Sequence, residues 1–316
     1  MPSHESVTVA AIQATPVILD AEATIEKAVG LLHESADQGA RLAVFPETFV
    51  SVYPSGAWGH QAARFDGFDD MWERLWANSI EVPGPALEKL VGVCGERGMY
   101  CAIGINEREL ERPGSLYNSL VLLGPEGVLS KHRKLVPTMH ERLFHGHGDG
   151  NDLDVVETDL GRVGGLICWE NRMPMARYEL YSKGVQIWVA PTADDSDGWL
   201  ATVRHIAIES GAFVISVPQY IDRSAFPDDF PVPLPDDEVF GRGGAAIIEP
   251  QGGNIIAGPL YDREGIVTAD IDLKVGLRAK RWFDVVGHYK RIEPAGSPTK
   301  ERGGEWQSSQ ASDMSQ

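Results

Sequence analysis

The sequence predicts an α/β fold in which two mixed β-sheets pack face to face with helices on the outside. Three observations carry that prediction. Short apolar runs of strand length alternate with longer stretches whose apolar residues recur every three or four positions. The succession strand, helix, strand occurs twice, beginning near Val7 and again near Val163. Each succession closes with runs joined by tight turns, Pro125-Glu126-Gly127 in one half and Pro250-Gln251-Gly252-Gly253 in the other, as antiparallel hairpins do. With 316 residues, 43% of them hydrophobic, the chain can bury a large core. No linker interrupts it before the C-terminus. Residues 1–292 therefore read as one domain, and 293–316, rich in Gly, Ser, Gln and charge, as a disordered tail.

Residues 7–13 form the first strand. Asp20 then caps a helix whose apolar stripe is Ile25, Val29, Leu32 and Ala36, and Gly39 ends it. The run 42–45 completes a βαβ unit and delivers Glu47 to the edge of the sheet. Residues 50–67, with Tyr53, Pro54, Trp58 and Gly59, read as a loop with aromatic anchors. Helices follow at 69–79 and from Gly84-Pro85, the second with Leu87, Leu90, Val91 and Cys94 on its inner face. Strands at 100–106, 118–123 and 128–131 complete the first half, and the last of them presents Lys134. Residues 138–151 lack an apolar period and form a long loop holding His140, Glu141, His145 and His147.

The second half opens with a strand at 163–167 and a helix after Pro174. A strand at 185–190 leads to a helix with Trp199, Val203, Ile206, Ala207 and Ser210 inward, then to a strand at 213–217. The proline-rich, acidic stretch 222–240 cannot be a regular element and is placed as a surface excursion. Strands at 244–248, 254–257 and 265–271 end the pattern.

The net charge of −18 argues against nucleic acid or an anionic membrane surface as partner. Cys94, Cys101 and Cys168, an odd set without zinc-ligand spacing, point to a reducing compartment. The polar start Met1-Pro2-Ser3-His4-Glu5 lacks the apolar core of a signal peptide, so a cytoplasmic location is expected.

Chemistry concentrates between Gly164 and Pro174. A buried strand runs into Cys168 and then into a helix marked by Pro174 and by Met175, Tyr178 and Tyr181 at helical spacing. A cysteine at a strand's C-terminal end sits where open α/β sheets hold ligands, and the positive end of a helix dipole favours a thiolate. A lone cysteine is also commonly an ordinary buried apolar residue, so its neighbours decide. Phe45-Pro46-Glu47 and His132-Arg133-Lys134 bring a carboxylate and an amine to two other strand ends.

With these three motifs in this order, the sequence resembles the nitrilase superfamily, the carbon-nitrogen hydrolases, from Val7 to about Arg291. Cys168-Trp169-Glu170-Asn171-Arg172-Met173-Pro174 resembles its nitrilase branch. The resemblance implies a four-layer αββα sandwich and a triad of Glu47, Lys134 and Cys168. It implies hydrolysis of a nitrile to a carboxylic acid and ammonia through thioimidate and thioester intermediates, with no cofactor. In that scheme Cys168 is the nucleophile and Glu47 the general base, while Lys134 and the backbone N–H of Trp169 stabilise the intermediates. Glu141 matches a second carboxylate that positions the lysine or the substrate; the plainer alternative is a partner for a nearby arginine. An amidase or N-carbamoyl hydrolase with the same triad and an inactive binding scaffold are the rival functions. The family also implies a homo-oligomer based on dimers that meet through helices around 175–183 and 199–211, often extending into spirals. A second contact would come from 222–240 and the stretch near Trp58.

Tyr53, Trp58 and Trp169 lie near triad residues in sequence, and His145 and Pro191 follow strands toward the same edge. They read as an aromatic, largely apolar pocket for a small-molecule nitrile, favouring an arylaceto or other apolar nitrile over acetonitrile. No metal is expected, because the histidines of 138–151 share no helix face, and solvated loop histidines explain them better. Glu170 reads as a helix cap or a partner of Arg172, and His288 is assigned no chemical role.

Overall fold

The computed structural model describes residues 6–55, 58–62 and 67–290. The tail read at 293–316 and part of the 50–67 loop lie outside them. In chain order, β1 (Val7–Gln13) leads through α1 (Ala21–Asp37) to β2 (Leu42–Val44). Then come α2 (Gly59–Ala62), α3 (Phe68–Ala77), α4 (Pro85–Arg97), β3 (Tyr100–Arg108), β4 (Leu116–Gly124) and β5 (Gly127–Arg133). The second half runs β6 (Val156–Thr158), β7 (Gly161–Gly165), α5 (Pro174–Ser182), β8 (Ile187–Thr192), α6 (Asp197–Ser210) and β9 (Phe213–Pro218). It ends with β10 (Tyr220–Asp222), β11 (Val239–Ile248), β12 (Ile255–Tyr261), β13 (Gly265–Ile271) and α7 (Leu273–Trp282).

Two mixed sheets result. The six-stranded sheet has the order β13-β1-β2-β3-β4-β5; the seven-stranded one has β10-β11-β9-β8-β7-β6, with β12 also paired to β11. β1, β2 and β3 run parallel, as do β7, β8 and β9, and hairpins flank both sets. The final strand, β13, returns to pair antiparallel with β1 and so ties the chain's end to its beginning.

Alternating side chains explain the layers. Along β1, Val7, Val9 and Ala11 enter the core between the sheets, whereas Ala10 and Ile12 join the core beneath α1 and α4. Along β8, Ile187 and Val189 face the intersheet core, and Trp188 and Ala190 face α5 and α6. Strands buried on both faces must be apolar throughout, which is why these runs stand out in the sequence. The order helix, sheet, sheet, helix is the expected αββα sandwich. α1 begins where the Asp20 side chain accepts from the Ala23 N–H at 2.9 Å. On α4 the buried face holds Val93 in place of the expected Val91.

Residues 222–240 require a correction. They start with β10 and a 3-10 turn at Arg223–Ala225, and β11 begins five residues earlier than expected, at Val239. Phe226 and Val232 are buried in a satellite core with Trp58, Met71, Leu75 and Phe144. The prolines forbid regular structure, but the aromatics between them bury apolar area, so the segment packs down as part of the site. β6 and α7 were not expected: β6 is three residues, none of them buried, and α7 buries only Gly276. No helix among the described residues is long and apolar enough to cross a membrane.

Candidate active site

Four strand ends converge on the site. Glu47 follows β2, Lys134 follows β5, Cys168 follows β7, and Thr192 ends β8. Gly104 of β3 lets the Glu47 turn settle against the sheet, since a Cβ there would lie 2.4 Å from the Pro46 carbonyl oxygen and 2.7 Å from Glu47 Cα. The Gln219 side-chain amide donates to the Glu47 carbonyl and fixes the same turn.

Lys134 is buried, with 1% of its surface exposed. Its Nζ donates to Glu47 Oε1 at 2.7 Å, to Glu141 Oε2 at 2.7 Å and to Glu141 Oε1 at 3.0 Å. An ammonium has three hydrogens, so all are engaged by two carboxylates. Asn118 Nδ2 bridges the same pair, at 2.7 Å from Glu47 Oε1 and 2.8 Å from Glu141 Oε1. Glu47 Oε2 carries one donor, the Ala193 N–H at 2.9 Å, and keeps a lone pair for a proton. Glu141 also closes the start of the 3-10 turn Met139–Leu143 by accepting from the Thr138 N–H. Its partner is thus the lysine, not an arginine.

The surroundings split the two carboxylates. Burial raises the pKa of Glu47 and the neighbouring Glu141 charge adds to that, so the net shift is upward despite Lys134. Burial also opposes the charge on Glu141, but Lys134 and the Thr138 N–H outweigh it and hold this carboxyl below the usual range. For Lys134, burial works against the charge, yet Glu47, Cys168 and Glu141 drive its pKa above the ordinary value.

Cys168 begins a 3-10 turn, Cys168–Arg172, with φ at +51°, a left-handed conformation that costs a non-glycine residue about 1–2 kcal/mol. Asn171 holds it there: Nδ2 donates to the carbonyls of Leu166 and Cys168 at 2.8 and 2.9 Å, and Oδ1 accepts from Trp188 Nε1 at 2.8 Å. The sharp turn projects the sulfur to where Thr192 Oγ1 donates to Sγ at 3.2 Å. The expected help from a helix dipole is absent, because α5 starts only at Pro174, after the 3-10 turn. Burial, reinforced by the Glu47 charge, instead pushes the thiol up to about 12. A nucleophilic role for this thiol would therefore call for a base to take its proton.

Glu170 joins the lysine segment to the cysteine turn. It accepts from the Ile167 N–H at 2.8 Å and from the Leu135 N–H at 2.5 Å, and it meets His132 Nε2 at 3.0 Å. His132 Nδ1 meets Asp152 Oδ1 at 2.8 Å, while Asp152 Oδ2 accepts from the Arg133 N–H at 2.8 Å. Burial works against charge on His132, but Glu170 and Asp152 raise its pKa to about 10, so it is an imidazolium between two carboxylates. Glu170 is a cap, as one reading had it; Arg172 goes instead to Asp194 at 3.0 Å.

A cleft of about 410 Å³ opens onto Cys168. Tyr53, Trp58 and Trp169 line it together with Met139, Phe226 and Phe240. Trp169 Nε1 donates to Asp194 Oδ2 at 2.7 Å, which holds the indole at the rim. His145 and Pro191 are not in its wall. His145 is buried behind Glu141, its Nε2 2.7 Å from Asn106 Oδ1, and burial lowers its pKa to about 4. It is thus neither solvated nor in the pocket, whereas His147 is exposed as expected. Pro191 sits inside the β8–β9 ladder opposite Val217. Among the described residues no group of three or more His, Cys, Asp or Glu could hold a metal ion.

Asn118, His132, Asp152 and Thr192 were missed by sequence reasoning. The available signal was a polar side chain inside an apolar strand, as at Asn118 in β4 and Thr192 at the end of β8.

The family model for carbon-nitrogen hydrolases matches residues 8–281. The chain is 46% identical over 286 residues to an aliphatic nitrilase of Sinorhizobium fredii, covering 89% of this chain and 92% of that one. It is 42% identical over 292 residues to Nitrilase 2 of Arabidopsis thaliana, covering 89% and 84%. Among solved structures it is similar to Saccharomyces cerevisiae Nit3, a member of branch 10 of the nitrilase superfamily, with a TM-score of 0.71 and coverage of 91% and 97%. At 18% identity, that likeness speaks to the fold alone.

Proposed function

Because the chain belongs to the carbon-nitrogen hydrolase family, we propose that it is a nitrilase that converts a nitrile to a carboxylic acid and ammonia, with Cys168 as nucleophile. The observation that carries this reading is the pair of buried carboxylates sharing Lys134 beside a buried thiol, one pushed up and the other held down in pKa. Such a split gives one base poised to accept a proton and one permanent charge. Glu47 takes the Sγ proton as sulfur bonds to the nitrile carbon and a π pair moves to nitrogen. Once protonated, Glu47 weakens its hold on Lys134, which frees an N–H for that nitrogen. Glu47 then returns the proton to nitrogen, giving the thioimidate. Water adds with Glu47 again relaying a proton to nitrogen. Collapse of the tetrahedral adduct sends the hydroxyl proton to the departing ammonia and leaves a thioester. A second water releases the acid, and its proton returns to Sγ. The scheme consumes two waters per nitrile and needs no cofactor.

Apolar and aromatic walls favour a substrate whose affinity comes from buried area, at about 25 cal/mol per Å². An arylaceto or other large apolar nitrile should be preferred to acetonitrile. We also read residues 1–292 as one catalytic domain, the chain as a homo-oligomer based on dimers, and the three unpaired cysteines as fitting a cytoplasmic enzyme.

Ammonia release over aliphatic, aromatic and arylaceto nitriles and their amides tests the reading, with Cys168→Ala as control. Turnover of nitriles that Cys168→Ala lacks, with a higher kcat/KM for phenylacetonitrile than for acetonitrile, is expected. Release from amides alone would mean an amidase, and none from either class a binding scaffold.

A further inference from the structure

We propose that Thr192 is a further catalytic residue: its hydroxyl hydrogen-bonds Cys168 Sγ and stabilises charge on the sulfur, first as it attacks and again as it leaves the thioester. The inference rests on the nucleophilic role given to Cys168 above. A threonine hydroxyl has one hydrogen to give. The Asp194 N–H donates to Thr192 Oγ1 at 2.9 Å, which occupies a lone pair on that oxygen and orients the group. The hydrogen is then directed at Sγ, 3.2 Å away, with both side chains buried.

Two other donors of the site are already committed. The Lys134 hydrogens are committed to Glu47 and Glu141, so an ammonium bond to sulfur would first have to break one of those. The Asn171 amide is spent on two backbone carbonyls. A thiol this buried has lost its water, and a fixed donor is what replaces water around a nascent thiolate. The next residue, Ala193, donates its N–H to Glu47 Oε2 at 2.9 Å, so the end of β8 touches both the nucleophile and its base. No proton passes through Thr192. Its hydrogen bond strengthens when Glu47 removes the Sγ proton and weakens when sulfur becomes bonded to carbon. It strengthens again when the S–C bond of the thioester breaks and the pair returns to sulfur.

The test is the rate of Cys168 alkylation by iodoacetamide as a function of pH, read by intact mass without any nitrile, together with kcat/KM for ammonia release. Thr192→Val should slow both on the order of ten- to a hundredfold, the size expected for losing a hydrogen bond to a charged atom, and move the alkylation profile to higher pH. Thr192→Ser should restore both. Should Thr192→Val fail to fold, the comparison of Thr192→Ala with Thr192→Ser makes the same measurement. An unmoved alkylation profile in the hydroxyl-less variant, or a serine variant as slow as it, would overturn the proposal. Retained nitrile turnover in Cys168→Ala would instead remove the nucleophile, leaving the alkylation profiles to report on the Thr192 bond alone.

Discussion

Glu47 and Glu141 share one lysine and one asparagine, yet only Glu47 ends with a raised pKa. Each also accepts one backbone N–H, from Ala193 and Thr138 respectively, so the difference lies elsewhere. Lys134 donates to both oxygens of Glu141 but to one of Glu47, and the Glu141 charge in turn raises Glu47. A base with a raised pKa gains activity as pH climbs through that value. The acid limb of kcat/KM should therefore inflect above the ordinary glutamate value of 4.5. Glu47→Gln and Lys134→Ala should each lower kcat/KM by about 10²–10⁴-fold, and the double variant should lose little more than either, because the two act as one unit. Steady-state kinetics across pH would check this; additive mild losses would reduce both residues to scaffolding. The three residues proposed as a triad could be singled out in the sequence because each follows a recognisable strand in a short motif. Their division of labour could not, since it depends on how Lys134 shares its hydrogens between Glu47 and Glu141, which no local pattern shows.

Elements, rather than single residues, set the distance between the lysine and the cysteine. β5 belongs to one sheet and β7 to the other, and the Asp152–His132–Glu170 chain bridges their ends. Because Glu170 and Asp152 raise His132 from 6.5 to about 10 against the opposing effect of burial, it binds a proton more tightly folded than unfolded. The stability it contributes is complete below about pH 6.5 and is lost as pH rises through about 10. The wild-type thermal midpoint should fall between pH 7 and pH 10, and His132→Gln should flatten that fall while costing about 3–5 kcal/mol at pH 7, since it strands a buried carboxylate. Melting curves of both proteins at the two pH values decide it; equal slopes would show that the imidazolium does not brace the sheets. The strands themselves were legible from alternation on two buried faces, as in β1 and β8. β6 and α7 were not, because elements that bury little leave no periodic trace.

On the scale of the whole molecule, the sandwich was readable from two repeated successions of elements, but its cleft only in part: Tyr53, Trp58 and Trp169 were expected there, the aromatics of the proline-rich segment were not. Phe226 and Phe240, at the two ends of a proline-rich segment, meet Tyr53 and Trp58 from the other half of the chain. Only folding brings them together. The outer layers differ in a way that bears on assembly. α1 and α4 cover one sheet, while on the other face Met175 of α5 is 79% exposed and Ile208 of α6 is 43% exposed. α7 continues this side, with Gly276 close against the Gly211 carbonyl at the end of α6 and with Leu277 and Trp282 exposed by 61% and 68%. A chain of net charge −18 repels its copies at long range, so association needs apolar area to offset that repulsion. A stable dimer buries about 800 Å² on each partner, and α5 and α6 each expose an apolar side chain, Met175 and Ile208, toward that use. Light scattering at micromolar concentration should therefore show a dimer or larger species. The paired change Met175→Glu and Ile208→Glu should shift it to monomer without altering Cys168 alkylation, because neither residue lines the cleft. A fully active wild-type monomer would place the interface elsewhere or remove it altogether.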